Sequence, residues 1–201
     1  MTRISGILLA GGASRRFGRE KLLEPVDGVP LFHRPLRALM ATCDEVVVVL
    51  APGAPDPPLP RGASSVRFLR DDVAFGGPLV GTYIGLARVR GAVALLAAGD
   101  MPGLRAELLD LLARQVTLPG RNAVVLGDGD GPRPLPAALR VKAALTLADE
   151  LLRGPERRLR ALVAGLDAVV LKERVWAEAD PRGEWRRDVD VPADLAEAEV
   201  L

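Results

Sequence analysis

Short, mostly apolar runs recur along the first half of the chain and alternate with segments that suit helices. The runs occupy residues 4–10, 45–50, 66–69 and 92–98. Uninterrupted apolar runs of this length are typical of strands buried on both faces of a sheet. The segments predicted as helices are 31–42, 78–89 and 104–115, with Pro30 and Pro78 each at the start of a helix.

The second half of the chain is less regular. A hairpin is predicted from residues 123–126 and 134–139, around the glycine- and aspartate-rich turn between them. The remaining predicted elements are helices near 141–153 and 157–166, a strand at 168–171, a strand ending near Asp190 and a closing helix from Ala193. This alternation predicts an α/β fold, with a parallel sheet covered on both faces, in a single domain over residues 1–201.

Composition narrows the classes of function. The chain has 201 residues, of which 49% are apolar, enough for one sizeable core. Lys and Arg number 27 against 26 Asp and Glu, so a net charge of +1 provides no bulk field for nucleic acid or acidic lipid. One cysteine and one histidine exclude an internal disulfide and a Cys/His zinc cluster, so a metal would need carboxylates. No apolar run reaches the ~20 residues of a membrane span, and we expect a soluble cytoplasmic protein.

The first strand runs into a loop that combines glycines with positive charge. Gly11 and Gly12 follow the strand directly, and Arg16 and Lys21 come shortly after. Backbone amides at the carboxyl end of a strand, with a guanidinium and an ammonium beside them, suit a polyphosphate. The loop has neither the Lys-Ser/Thr of a Walker loop nor the spacing of a dinucleotide fingerprint. The alternative is a tight turn with solvated charges, but Lys21 is one of only three lysines in an arginine-rich chain.

Asp100 follows the apolar run 92–98 and is therefore directed to the same edge of the predicted sheet. A polyphosphate at this edge calls for Mg²⁺, which takes one or two protein carboxylates together with phosphate oxygens and water. The alternative role is an N-cap for the helix near Leu104, which the intervening Pro102 and Gly103 disfavour. Asp100 is therefore the predicted metal ligand.

These motifs together resemble those of the MobA-like nucleotidyltransferases. Residues 9–21 match the family signature Leu-Ala-Gly-Gly-x-Ser-x-Arg-Met-Gly-x-x-Lys at every fixed position except Phe17, which replaces methionine. Asp71 with 77–81 is similar to the family's Asp and Gly-Pro-Leu-x-Gly segment, and 99–102 is similar to its Asp-x-Pro metal site. The resemblance covers essentially the whole chain in order. It implies a three-layer α/β/α domain with a Rossmann-like, mostly parallel sheet, as in nucleotide-diphospho-sugar transferases.

The resemblance also implies roles for individual residues. Arg16, Lys21 and Asp100 are the expected catalytic residues, and Asp100 is the expected Mg²⁺ ligand. The residues expected to contact the nucleotide are Leu9, Ala10, Gly11, Gly12, Lys21, Asp71 and Asp100. The Asp71 carboxylate would bind either the ribose or the paired N–H donors of guanine, which cytosine lacks.

The residues expected to bind the phosphate of the acceptor come later in the chain. Residues 132–137 resemble the family's Pro-Leu-x-Ala strand, and 154–158 resemble its Gly-Glu-Arg-Arg segment with Pro155 inserted. Arg157 and Arg158 would bind the acceptor phosphate, although a solvated helix start is an equally good interpretation of these residues.

A third acceptor motif lies near the end of the sequence. Asp188 and Asp190 stand where the family motif Asn-x-Asn-Thr-Pro has asparagines. Carboxylates at these positions would accept hydrogen bonds from pterin N–H groups or help to hold a metal. Both aspartates are therefore expected at the acceptor site.

The implied reaction is transfer of GMP from GTP to the phosphate of molybdopterin, which releases pyrophosphate and forms the guanine dinucleotide cofactor. A molybdopterin-delivering protein or a molybdoenzyme would be a further partner. Two alternatives stay open: a transferase that uses CTP or another phosphorylated acceptor, and a nucleotide-binding module without catalysis. An NAD-type oxidoreductase is disfavoured because the dinucleotide fingerprint is missing.

Overall fold

The apolar runs of the first half form the central strands of the sheet. The computed structural model describes residues 2–11, 21–70, 76–129 and 131–198. In these ranges the strands are β1 (Ile4–Ala10), β2 (Pro25–Val26), β3 (Val29–Pro30), β4 (Glu45–Leu50), β5 (Val66–Arg70), β6 (Val93–Ala98), β7 (Ala123–Asp128), β8 (Gly131–Arg140) and β9 (Val169–Leu171). The helices are α1 (His33–Thr42), α2 (Pro78–Leu86), α3 (Ala106–Thr117), α4 (Val141–Arg153), α5 (Leu159–Gly165), α6 (Glu173–Trp176) and α7 (Ala193–Ala198), with 3-10 turns at Lys21–Leu23 and Glu184–Arg186.

Helices cover both faces of a seven-stranded sheet because side chains alternate along each strand. Leu8 belongs to the cluster that contains the apolar residues of α1 and α3, whereas its neighbour Ile7 belongs to the cluster that contains those of α2, α4 and α5. The strand order is β5-β4-β1-β6-β8-β7-β9, and among the described pairs of this sheet only the two formed by β8 are antiparallel. The predicted three-layer α/β/α fold with a mostly parallel sheet is therefore confirmed.

Strand direction determines which edge of the sheet carries the loops of interest. β5, β4, β1 and β6 are parallel neighbours, so their carboxyl ends meet at one edge. β8 is antiparallel to β6, with Leu96 opposite Ala137, so the amino-terminal part of β8 continues past the end of β6 at this same edge. Open α/β sheets bind their ligands there.

None of the described helices could cross a membrane. The longest of them, α4, has 13 residues, whereas a helical span of the bilayer needs about 20.

Pro30 does not start a helix, so that prediction is wrong. Asp27 and Gly28 both have positive φ, 49° and 75°, which is typical of a two-residue hairpin turn. Pro25 pairs with Pro30 across β2 and β3, and α1 begins only at His33. Proline suits the edge of a short hairpin as well as a helix start, because its missing N–H costs no hydrogen bond there.

The strand predicted to end near Asp190 is also absent from the described part of the chain. The Val189 N–H donates to the Asp100 carbonyl over 3.0 Å. The N–H groups of Asp190 and Val191 both donate to Asp194 Oδ2, over 2.7 and 2.9 Å. The segment therefore bonds to one loop and to its own following turn. The alternation of aspartate and valine over residues 188–191 suits a strand, so the sequence pattern alone does not exclude strand pairing.

Gly103 is the point at which the loop before Asp188 packs against the loop after β6. A Cβ added to Gly103 would lie 2.2 Å from the backbone oxygen of Glu184, so no side chain fits without a shift of the backbone. The contacting turn is held by Trp185, which is 0% exposed and donates its backbone N–H to Asp180 Oδ2 over 2.9 Å.

We expect Gly103→Ala to lower the free energy of unfolding by about 2 kcal/mol, the usual scale of overpacking in a closed site. Chemical denaturation measures this loss. Gly154→Ala is the matched control, because a Cβ there would meet only the Leu151 carbonyl, at an ordinary contact distance of 3.5 Å. Equal losses in the two variants would contradict the close approach at Gly103.

Glu45 holds three segments together at the opposite end of the sheet. The residue is 5% exposed, and its carboxylate accepts hydrogen bonds from Ser5 Oγ, from the Arg90 backbone N–H and from Arg67 Nη2, over 2.9, 2.7 and 3.0 Å. Burial by itself would raise the pKa of Glu45, but these three hydrogen bonds outweigh burial and lower the pKa below 4.5.

A lowered pKa in the folded state means that the Glu45 carboxylate stabilises the fold above about pH 4.5 and loses this effect as the pH falls further. We therefore expect Glu45→Gln to cost about 2 kcal/mol of unfolding free energy at pH 7, the scale of buried hydrogen bonds to a charged group. The difference from the wild type should shrink in denaturation curves recorded below pH 4.5. Glu107→Gln, on the exposed side of α3, is the control, and its free energy of unfolding at pH 7 should stay close to that of the wild type.

Candidate functional site

Lys21 and Asp100 form an ion pair where β1 and β6 end. These strands are parallel neighbours with Leu9 opposite Ala98, and the Gly99 N–H donates to the Leu9 carbonyl over 2.9 Å. Lys21 Nζ lies 2.7 Å from Asp100 Oδ2, and 12% of the lysine side chain and 26% of the aspartate side chain are exposed. Two residues predicted to be catalytic, distant in sequence, are therefore in direct contact.

The segment before α7 brings two more carboxylates to this pair. Asp190 Oδ1 lies 3.7 Å from Lys21 Nζ, and the Asp190 side chain is 62% exposed. The hydrogen bond from the Val189 N–H to the Asp100 carbonyl fixes the segment at the end of β6. Asp188 and Asp190, both predicted for the acceptor site, therefore lie beside the Lys21–Asp100 pair.

The electrostatics of Asp188 show that negative charge is concentrated here. Burial raises the pKa of Asp188 to about 6, and the neighbouring charge of Asp100 adds to the increase. The positive charge of Arg133 opposes this increase, Asp190 adds to it, and Lys21 opposes it. Since like charges disfavour ionisation, a cation bound among these carboxylates would relieve their repulsion.

The donor set fits Mg²⁺. Asp100, with Asp188 and Asp190 near it, offers only carboxylate oxygens, the ligand type that this hard cation prefers. Across residues 2–11, 21–70, 76–129 and 131–198, no three or more His, Cys, Asp or Glu side chains form a complete metal-binding group. Mg²⁺ does not require such a group, because it keeps water and takes one or two protein carboxylates with phosphate oxygens.

Leu9 and Ala10 end β1, and Gly11 follows them at this same edge of the sheet. Leu9 Cδ2 would lie 3.2 Å from a Cβ at Gly81, which shows how closely β1 meets α2. A Cβ on Gly11 would lie 3.1 Å from the backbone nitrogen of Ala51, tighter than nearly all real Cβ contacts. The glycine at this position therefore permits the chain to leave β1 close beside the end of β4.

The structure does not describe three of the residues predicted from the signature motifs. Gly12, Arg16 and Asp71 lie outside the described residues.

Arg157 and Arg158 lie in a loop beside the amino end of α2. A Cβ on Gly77 would be 3.2 Å from the Arg157 carbonyl oxygen. Arg157 Nη1 donates to the carbonyls of Gly154 and Glu156, and Arg158 binds the Glu156 carboxylate over 2.8 Å. Hydrogen bonds from Arg158 lower the pKa of Glu156 to about 2. Among described residues, the polar contacts of both arginine side chains stay within this loop.

Arg133 is a site residue to which sequence reasoning assigned no role. It lies on β8, where Nε donates to Asp128 Oδ2 over 3.0 Å and Nη1 lies 3.8 Å from Asp188 Oδ2. The sequence showed the strand around it, but only the antiparallel pairing of β8 with β6 brings this part of the strand to the edge occupied by Asp100.

Comparison with known proteins supports the assignment of a family. The model of a family described as "MobA-like NTP transferase domain" matches residues 6–170. A protein of Mycobacterium avium named "Probable molybdenum cofactor guanylyltransferase" is 36% identical over 192 residues, which cover 90% of this chain and 94% of that protein. A protein of Mycobacterium tuberculosis with the same name is 37% identical over 171 residues, 83% of this chain and 82% of its own length.

Two solved structures share the fold. The first, molybdopterin-guanine dinucleotide biosynthesis protein A from Archaeoglobus fulgidus, has a TM-score of 0.78 and 21% identity, with 98% of this chain and 97% of that chain covered. The second, 4-diphosphocytidyl-2C-methyl-D-erythritol synthase from Anaerococcus prevotii, has a TM-score of 0.71 and 14% identity over 99% and 95% of the two chains. Because both the family match and the curated relatives span most of the chain, it belongs to the MobA-like NTP transferase family.

Proposed function

We propose that this chain transfers GMP from GTP to the phosphate of molybdopterin, releasing pyrophosphate and forming molybdopterin guanine dinucleotide. The names of the curated relatives support this choice of substrates. The observation that carries it is the Lys21–Asp100 pair at the carboxyl edge of β1 and β6. A cationic donor beside a carboxylate suits nucleotidyl transfer, which needs both a cation to bind phosphates and a carboxylate to bind the metal.

The reaction places few demands on acid–base groups. The attacking phosphate oxygen is already an anion at neutral pH, so alignment and neutralisation of charge at the α-phosphorus determine the rate. In this proposal Lys21, Arg16 and the amides of Gly11 and Gly12 hold the departing pyrophosphate. Leu9 and Ala10 contact the nucleotide, and Asp71 binds its base or ribose.

Asp100 would hold Mg²⁺ in this proposal. The ion, when bound, neutralises phosphate charge. Asp188 and Asp190 shape the acceptor site next to Asp100, and Arg157 and Arg158 line its approach from the loop beside α2.

Pyrophosphate release tests the proposal directly. Purified protein is incubated with Mg²⁺ and each of the four ribonucleoside triphosphates, with and without molybdopterin. We expect release with GTP only, and only when molybdopterin is present. Release with CTP alone would identify a cytidylyl transferase, whereas binding of GTP without any release would identify a nucleotide-binding module.

We also propose a cytoplasmic location.

Because molybdopterin is a bound cofactor precursor, we propose that a delivering protein or a molybdoenzyme meets this chain at the acceptor side. Co-purification of such a protein with the tagged chain would be the expected result.

A further inference from the structure

We propose that Arg133 is an acceptor-binding residue whose guanidinium binds the phosphate of the acceptor; this inference rests on the function proposed above. Its role would be to select phosphorylated acceptors and to bring the attacking phosphate toward Asp100.

The position of Arg133 follows from the sheet. The β6–β8 ladder ends with Leu96 opposite Ala137, and β8 extends beyond that pair at its amino-terminal end. Arg133 is on this extension, opposite Leu126 of β7. Arg133 therefore lies at the edge of the sheet where Asp100 follows β6. The strand that carries it, β8, lies on the opposite side of β6 from β1.

One nitrogen of the Arg133 guanidinium is held by a hydrogen bond, and the side chain is partly exposed to solvent. Asp128, whose side chain is 7% exposed, accepts a hydrogen bond from Arg133 Nε over 3.0 Å. The 3.8 Å between Arg133 Nη1 and Asp188 Oδ2 is longer than a direct hydrogen bond. The Arg133 side chain is 40% exposed, so part of it faces the solvent from which a phosphate would approach.

The charge of the site supplies the reason why such a residue is needed. An acceptor phosphate carries negative charge and must approach Asp100, Asp188 and Asp190, which would repel it. Lys21 is already in contact with Asp100 and near Asp190. A planar guanidinium on the β8 side is well suited to bind a phosphate by two parallel hydrogen bonds.

The arginines of the 154–158 loop are less favourably placed for this role. Arg158 makes three side-chain hydrogen bonds with the Glu156 carboxylate, over 3.0, 3.3 and 2.8 Å, and Arg157 donates to carbonyls of its own loop. Arg133, in contrast, lies within ion-pair distance of Asp188 in the cluster itself.

The test compares acceptor and nucleotide constants in Arg133→Gln. We expect KM for molybdopterin to rise roughly tenfold to a hundredfold, the scale of a lost charged hydrogen bond, with KM for GTP within about twofold of the wild type. Calorimetric titration with molybdopterin alone should show the same weakening. Titration with the dephosphorylated pterin should show no difference between the two proteins. Arg133→Lys, which keeps the positive charge but not the planar guanidinium, should give an intermediate KM for molybdopterin.

Arg140→Gln is the matched control, because Arg140 lies at the other end of β8 and donates to the Thr117 carbonyl. Equal binding of molybdopterin by wild type and Arg133→Gln would overturn the proposal, as would an equal rise in KM for GTP. A lower melting temperature with unchanged molybdopterin binding would assign Arg133 a structural role instead. If the wild type binds molybdopterin but releases no pyrophosphate with any triphosphate, the proposed function fails while the binding comparison still decides the role of Arg133.

Discussion

Replacing Lys21 with alanine is expected to lower kcat roughly a hundredfold, which is about 2.7 kcal/mol of transition-state stabilisation. The Lys21 ammonium lies 2.7 Å from Asp100 and is mostly withdrawn from solvent, so its charge is weakly screened. As negative charge builds up on the departing pyrophosphate, a nearby mobile ammonium can follow it. The measurement is pyrophosphate release at saturating GTP and molybdopterin.

Lys142→Ala is the control for this prediction, since Lys142 is an exposed lysine on α4. Its kcat should equal that of the wild type. The melting temperature of Lys21→Ala should fall, because the largely buried Asp100 loses its ion-pair partner, so kcat is measured at a temperature where the variant is fully folded. Turnover near the wild-type level in folded Lys21→Ala would remove Lys21 from the reaction.

Asp100→Asn is expected to cause a loss of similar size, roughly a hundredfold in kcat. An amide keeps the shape of the side chain but removes the negative charge and one strong metal-binding oxygen. We therefore also expect the Mg²⁺ concentration for half-maximal activity to rise, and a chelator to abolish wild-type turnover. A magnesium titration of pyrophosphate release measures both effects.

The control is Asp149→Asn, which removes a carboxylate paired with Arg153 on the surface of α4. Its magnesium dependence should match that of the wild type. Unchanged turnover and magnesium dependence in Asp100→Asn would refute the metal assignment. Because Lys21 and Asp100 are in direct contact, the losses in the double variant should be smaller than the product of the single losses.

The sequence was sufficient to predict the α/β fold and to place Lys21 and Asp100 at the same edge of the sheet. The apolar runs form strands because the side chains of a parallel sheet covered on both faces are almost all buried. The residues of β1, β4 and β6 are buried along nearly their whole length. The hairpin of β7 and β8 was predicted correctly, because a glycine-rich turn separates two apolar runs.

Local patterns failed where the same residues suit two structures. Pro30 satisfies both a helix start and the edge of a hairpin, and only the positive φ of Asp27 and Gly28 distinguishes the two. The segment at Val189 alternates aspartate with valine, a pattern that suits a strand, yet the Val189 N–H bonds to the Asp100 carbonyl.

The sequence by itself determined which residue types are present to do the chemistry: a glycine loop with Lys21, and Asp100 after a buried strand. It did not determine which side chains meet. The Lys21–Asp100 contact, the approach of Asp190 and the arrival of Arg133 beside Asp188 depend on strand order and on antiparallel pairing of β8. These contacts join residues far apart along the chain, and only the packing of the sheet and its loops brings such residues together.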